Sequence, residues 1–242
     1  MRILLYIVLL ISQCFALEKH ILSSIDINRN DIAAKQRGAQ VFFNYCSGCH
    51  SLQYVRYSDM ARDLKIFNKQ GMVDKDIILN YLNFVNDDYR SQAVNAMSTE
   101  DAISWFGKRP PDLSLETRVR GNNWIYTFLK SYYVDPKRPT GVNNLLFKDV
   151  AMPNPFSALQ GLQYPIIDEH GNVVGLKKDP TKTVAELESY DRTLKDLVAF
   201  LDYVAEPHKQ QRLQLGRYVM LFLVVFSLTA YLYYREVWKD VE

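Results

Sequence analysis

Hydrophobic and polar positions divide the chain into two uninterrupted apolar runs near its ends and a patterned body between them. Leu194, Leu197, Val198, Leu201 and Val204 recur at intervals of three and four, which predicts a helix over Ser189–Ala205, broken by Glu206-Pro207. Asp31 precedes a second such stretch, Ile32–Tyr45, whose Val41, Phe42 and Tyr45 form an apolar side; an aspartate there can accept from the unpaired amides of the first turn. Asp59–Tyr89 is charge-rich and helical in rhythm, with an amphipathic helix predicted at Ile77–Val85. Trp124–Tyr133 predicts a helix with an aromatic face. Arg109-Pro110-Pro111-Asp112-Leu113-Ser114 predicts a turn followed by a helix start, and Asp135–Asn144, with Pro136, Pro139 and Gly141, a loop. Tyr164–Asp168 and Val173–Leu176 flank His170-Gly171-Asn172, a short β-hairpin signal. The expected class is mainly α, and no internal repeat alters it.

The terminal runs differ in kind. Met1–Ala16 has a basic residue at Arg2, an unbroken apolar stretch Ile3–Ile11 and a small residue at Ala16. This is the layout of an export signal, and the run is short for a membrane span. A lipoprotein site at Cys14 is disfavoured by the large Gln13 before it. Tyr218–Tyr234 carries no charge and lies between Arg217 and Arg235. It covers roughly 25 Å at about 1.5 Å per residue, against a hydrocarbon core of about 30 Å, and Leu215, Gly216 and the end tyrosines extend it. Tyr218, Tyr231, Tyr233, Tyr234 and Trp238 put aromatic rings at both interfaces. Cations are no richer after this run than before it, so the signal, which acts first, sets the expected orientation.

Composition changes the picture little. Lys plus Arg total 29 and Asp plus Glu 27, a net charge of +2, which gives no support to nucleic-acid binding. With 48% hydrophobic and 23% charged residues the chain can build a core. Three cysteines are too few for a disulfide scaffold.

Two of those cysteines carry the chemistry. Cys46-Ser47-Gly48-Cys49-His50 is C-x-x-C-H, the attachment signature of c-type haem. Two intervening residues let both sulfurs reach the vinyl edge of a porphyrin from one turn, and the next residue sets an imidazole under the iron. Gly48 is expected to keep a crowded turn free of a side chain. A thioredoxin-like pair would follow a strand, whereas these flanks are helical; a zinc site needs further ligands, and His20, His170 and His208 stand alone. One covalently bound haem c is therefore expected, with His50 as proximal ligand. For the opposite position, Met60 is too near His50, and Met72 and Met97 are read in helical contexts as core filling. Met152 stands in a loop stiffened by Pro153 and Pro155, a rigid setting for a weak neutral ligand. Its distance along the chain from His50 implies large insertions around a c-type core. Arg118 and Arg120 are candidates for the haem propionates, although the pattern alone favours surface salt bridges. No general acid or base is nominated.

Taken together, these residues resemble the cytochrome c1 family, the haem subunits of ubiquinol–cytochrome c oxidoreductase (complex III). The resemblance rests on R-G-A-Q-V-F at Arg37, C-S-G-C-H-S at Cys46, P-P-D-L-S at Pro110, W-I-Y-x-F-L at Trp124, A-M-P at Ala151 and D-L-V-A-F-L-D-Y-V-A-E-P at Asp196. It implies that His50 and Met152 are the axial ligands, that Arg120 lies by a propionate, and that Pro110 and Pro111 line the haem pocket. It implies an electron-transfer subunit that takes single electrons from a Rieske iron–sulfur protein and passes them to a cytochrome c, beside cytochrome b, in the cell inner membrane with the haem domain periplasmic. The expected organisation is a signal peptide over 1–16, an exported cytochrome c domain over 17–214, a single transmembrane helix over 215–234 and a short cytoplasmic tail over 235–242. Asn143–Asp149 departs from the family by lacking the usual Pro-Tyr-Phe-Pro-Gly run, and the loop cysteines some members join have no counterparts. Two alternatives stay open on the residues: a haem subunit of a terminal oxidase, and a haem enzyme or gas sensor with an open distal site.

Overall fold

The structure, a computed structural model, describes residues 22–239; the leader expected over Met1–Ala16 lies outside them. Asp31 caps α1 (Ile32–Tyr45), its carboxylate accepting from the Ala34 amide at 2.9 Å. The chain continues through β1 (Leu52–Arg56), α2 (Tyr57–Asp63), α3 (Lys75–Tyr81), β2 (Gln92–Ala93), α4 (Thr99–Phe106), α5 (Glu116–Arg120) and α6 (Asn122–Lys130). There follow β3 (Tyr132–Val134), β4 (Val142–Asn144), α7 (Ser157–Gln160), β5 (Tyr164–Ile167), β6 (Val173–Lys177), α8 (Val184–Ala205) and α9 (Lys209–Val237). The strands form only antiparallel pairs, β1 with β2, β3 with β4 and β5 with β6, so the protein is mainly helical. The β5–β6 hairpin is the one expected around His170-Gly171-Asn172.

The core forms where α1 crosses α8. Gly38 permits the crossing: a Cβ there would run into the Asp196 backbone carbonyl and the Phe200 side chain. Beside it the Arg37 guanidinium pairs with Asp196 at 2.6 and 3.0 Å. Phe42, Phe43 and Phe200 pack below, with ring centroids 5.2–6.4 Å apart. Leu52, Met60, Leu64, Ile78, Leu194, Leu197 and Val198 complete a continuous buried cluster. The chain before α1 is fastened across it: Arg29 pairs with Asp202 of α8, and the Ile25 amide donates to Asn123 of α6.

Several boundaries differ from the periodicity. Instead of starting at Ser189, α8 begins at Val184, behind a capping box in which Thr183 and Glu186 satisfy each other's backbone amides. The helix expected through Tyr133 stops at Lys130, and Tyr132 and Tyr133 instead enter β3. Ser131 turns its hydroxyl back to the Thr127 carbonyl at 2.6 Å, and the two tyrosines pair with Asn144 and Asn143. The last three residues of the expected loop Asp135–Asn144 are thus strand. α3 covers Lys75–Tyr81 rather than Ile77–Val85, because the buried Asn83 side chain draws the chain into a turn by bonding Asn86, Asp88 and Ser91.

Candidate cofactor site

α1 delivers the cysteines. Cys46 is its C-cap, donating its amide to the Phe42 carbonyl at 2.8 Å, and the turn closes with the Cys49 and His50 amides on the Cys46 carbonyl at 3.1 and 2.8 Å. Cys46 is buried, Cys49 half-buried, and both are free thiols. His50 is 8% exposed. Its Nδ1 lies 2.7 Å from the Pro111 carbonyl oxygen. A carbonyl only accepts, so Nδ1 carries the proton and Nε2 keeps its lone pair.

Asn95, just beyond β2, reaches the turn through two groups. The Asn95 side-chain amide donates to the Cys49 carbonyl, and the Asn95 backbone amide donates to Ser51 Oγ at 3.0 Å. From the other side the Leu113 amide donates to the Ser51 carbonyl at 2.9 Å, while Asp112 and Ser114 accept from the Gln53 and Tyr54 amides. P-P-D-L-S therefore acts as a brace along the chain that leaves the C-x-x-C-H turn. A Cβ at Gly48 would meet no protein atom within 4 Å, so the turn itself does not demand the glycine expected to relieve crowding.

Burial sets the protonation of the donors. It pushes the Cys46 thiol up to about 12, with Cys49 adding in the same direction, and pushes the Cys49 thiol up as well. It pushes the His50 imidazole below its usual range, partly offset by the Pro111 carbonyl, so the ring is neutral at pH 7. A neutral imidazole with one nitrogen fixed and the other free is the ligating form.

The remaining expected residues are spread around this turn. Met152 is half-buried against the core in an irregular segment. Met60 is fully buried core; Met72 is 62% exposed in a turn and Met97 lies in an irregular segment, so neither of the latter is helical as expected. Pro110 is half-buried and Pro111 exposed. Arg118 and Arg120 are both exposed. The Arg120 guanidinium pairs with Glu116 and lies over the Trp124 ring, 4.2 Å from its centroid, the surface salt bridge that the pattern alone favours.

Sequence reasoning missed the scaffold of the Met152 loop. Asn143 and Asn144 are 4% and 1% exposed. Asn144 Oδ1 accepts from the Leu146 and Phe147 amides at 2.9 and 3.1 Å, and its amide donates to the Phe128 carbonyl at 2.8 Å. Asn143 Oδ1 accepts from the Asp149 amide at 2.9 Å. Two buried asparagines thus shape the stretch that leads to Met152.

The donor set suits a c-type haem: two thiols one turn apart, then a buried neutral imidazole with a free Nε2. Among the described residues no group of three or more His, Cys, Asp or Glu side chains is placed to hold a metal ion. Residues 23–241 match the model of the Cytochrome C1 family.

The chain belongs to the cytochrome c1 family.

It is 42% identical to a cytochrome c1 of Allochromatium vinosum over 91% of this chain and 89% of that one. It is 36% identical to a protein of Nitrosomonas europaea named ammonia monooxygenase gamma subunit, over 91% of this chain and 88% of that one. It is 27% identical to a cytochrome c1 of Rhodospirillum rubrum over 88% of this chain and 84% of that one. As a member of the cytochrome c1 family it is a c-type cytochrome of respiratory electron transport, and the family implies a c-type haem. α9 is long and apolar enough to cross a membrane: an 18-residue stretch of it has a mean hydropathy of 1.8.

Proposed function

We propose that this chain is the haem subunit of a quinol–cytochrome c reductase, passing single electrons from a Rieske iron–sulfur protein to a cytochrome c in the company of cytochrome b. One haem c would be held covalently through Cys46 and Cys49, with His50 and Met152 as the residues that would ligate its iron. Bound there, the haem supplies a reversible one-electron couple at iron. The chain's own residues do the rest. The Pro111 carbonyl fixes the His50 ring and raises the basicity of Nε2. The Asn143–Asn144 scaffold holds the Met152 loop, whose soft thioether favours the reduced metal and a high potential. Arg120 serves a propionate by turning from Glu116, and Pro110 and Pro111 wall the pocket.

The proposed organisation is a cleaved leader over 1–16, a periplasmic haem domain over 17–214, a single inner-membrane anchor over 215–234 and a cytoplasmic tail over 235–242. The observation that carries the reading is the buried His50 ring, directly after the cysteine pair and fixed through Nδ1 by Pro111. The test is optical. Purified full-length protein retains its pigment in acidified acetone, and the oxidised form shows a far-red sulfur-to-iron band that Met152→Leu abolishes. Pigment extracted by acetone overturns covalent attachment. An unchanged band in Met152→Leu overturns the distal ligand, and carbon monoxide binding to the reduced wild type favours the open-site reading instead.

A further inference from the structure

Two cations share one aromatic ring near the cofactor turn. The Lys108 ammonium lies 5.8 Å from the Phe147 centroid and the Arg120 guanidinium 5.7 Å from it, both within the range in which a cation is drawn to a π face. The ring is held in place. Asn144 Oδ1 accepts from the Phe147 amide at 3.1 Å, and the ring stands edge-on to Trp124 and Phe128, with centroids 6.5 and 6.4 Å away. Lys108 reaches it from a separate stretch of chain. α4 stops at Gly107, whose φ of +75° turns the backbone out of the helix, and Lys108 is the next residue.

The two cations differ in what they already hold. Arg120 pairs with Glu116. Lys108 is exposed and takes part in no ion pair among the described residues. Lys108, Arg120 and Glu116 together thus carry one positive charge in excess, and like charges gathered at one ring repel unless an anion joins them. Their surroundings point to the anion. The chain runs from Lys108 directly into Pro110-Pro111, and the Pro111 carbonyl holds His50 Nδ1 at 2.7 Å. From Phe147 it runs on to Met152. The Glu116 charge is felt at the His50 ring, after burial and the Pro111 carbonyl. The group is therefore tied by sequence or contact to both proposed axial ligands. A haem fastened through its vinyl groups carries two propionates on the opposite edge, and Arg120 accounts for one.

We propose that Lys108 binds the second haem propionate, with Phe147 holding Lys108 and Arg120 so that each meets one carboxylate. The inference rests on the haem reading above and adds a binding residue, since the family resemblance brings only Arg120 to a propionate. It has an electrostatic consequence. A cation at that carboxylate disfavours the extra positive charge of oxidised iron, so Lys108 raises the midpoint potential.

Potentiometric titration and resonance Raman spectra of the full-length protein in detergent test it. Lys108→Gln moves the redox equilibrium about threefold toward the oxidised form, about 30 mV downward at 59 mV per tenfold. Lys108→Glu moves it about tenfold, about 59 mV. In both variants the propionate bending band shifts, while Lys108→Arg retains the wild-type midpoint and band. Lys148→Gln removes the same charge from the exposed residue after Phe147; it moves the midpoint by less than a third as much and leaves the band in place. All four positions are on the surface, so the variants fold. An unmoved midpoint in Lys108→Gln overturns the proposal, as does an equal shift in Lys148→Gln. A lowered midpoint with an unmoved propionate band overturns it too, because Lys108 would then act only as a distant charge. Pigment lost from the wild type in acidified acetone would instead strike the covalent-haem reading, and this inference with it.

Discussion

Asn144 is 1% exposed, and its side chain satisfies three backbone groups, the Leu146 and Phe147 amides and the Phe128 carbonyl. Removing it leaves two part-buried donors and an acceptor without partners, a larger penalty than the net worth of the bonds themselves. Asn144→Ala is expected to cost about 2–3 kcal/mol. Since the same residue shapes the chain leading to Met152, the far-red band of the oxidised protein should bleach at a lower temperature than the global unfolding transition. Parallel absorbance and circular-dichroism melts check both; coincident transitions shifted equally would mean that Asn144 supports the core and not the loop. Asp191 makes the complementary case for a charged residue. Burial disfavours its carboxylate, yet hydrogen bonds from Lys130, Tyr126 and Lys195 outweigh this and hold the carboxyl well below its usual range. A depressed folded value means stabilisation that is complete above about pH 4 and lost as pH falls through the folded value. Asp191→Asn should therefore lower stability at neutral pH and flatten the acid limb, with the two proteins converging as pH drops. Melting temperatures measured from about pH 6 downward test the sign; curves that stay parallel contradict it.

At the scale of elements, the crossing of α1 and α8 is the joint on which the body depends. Gly38 sits where a methyl group would overlap the backbone of Asp196, which cannot swing aside as a side chain does. Gly38→Ala gains helix propensity of about 1 kcal/mol, but the overpacking penalty of about 1–3 kcal/mol, at its upper end against backbone, outweighs it. Net destabilisation of about 2 kcal/mol is expected in denaturant titrations, and a neutral or stabilised variant would show that the crossing is loose. This joint was partly legible in the sequence. The apolar spacing of Leu194–Val204 and the Asp31 cap announced both helices, although α8 is buried at every position from Leu197 to Ala205 and not along one stripe alone. The first turns of α8 were not legible by spacing, since Val184–Glu188 buries nothing; the signal there was the Thr183-x-x-Glu186 box. The β3–β4 pair was hidden for a different reason. Tyr132 and Tyr133 read equally well as helix, and what decides against it is pairing with Asn143 and Asn144, a tertiary contact. The site divides the same way. Cys46, Cys49 and His50 are contiguous and announce themselves, whereas Asn95 on Cys49 and Pro111 on His50 are long-range contacts that no local pattern encodes.

For the molecule as a whole, the question is whether the body needs the helix that follows it. The buried cluster of the body runs from Ala39 to Val204, and none of the 29 residues of α9 is buried. What joins the two is polar and exposed: Asn30 with Gln210 at 2.5 Å, and Glu206 with Arg212 and Lys209. Exposed pairs of this kind contribute about 0–1 kcal/mol each. On the other side of the ledger, Tyr218, Phe222, Val224, Phe226 and Tyr233 are 59–72% exposed, an apolar surface that water does not stabilise and a bilayer does. A chain ending after Pro207 should therefore be soluble, keep its spectrum, and melt within a few degrees of the full-length protein in detergent, while only the full-length protein stays with the membrane pellet after alkaline carbonate extraction. A truncated chain that loses its pigment or aggregates would show that α9 completes the body's core. A full-length protein released by carbonate would show that this helix rests against another protein and does not cross the bilayer.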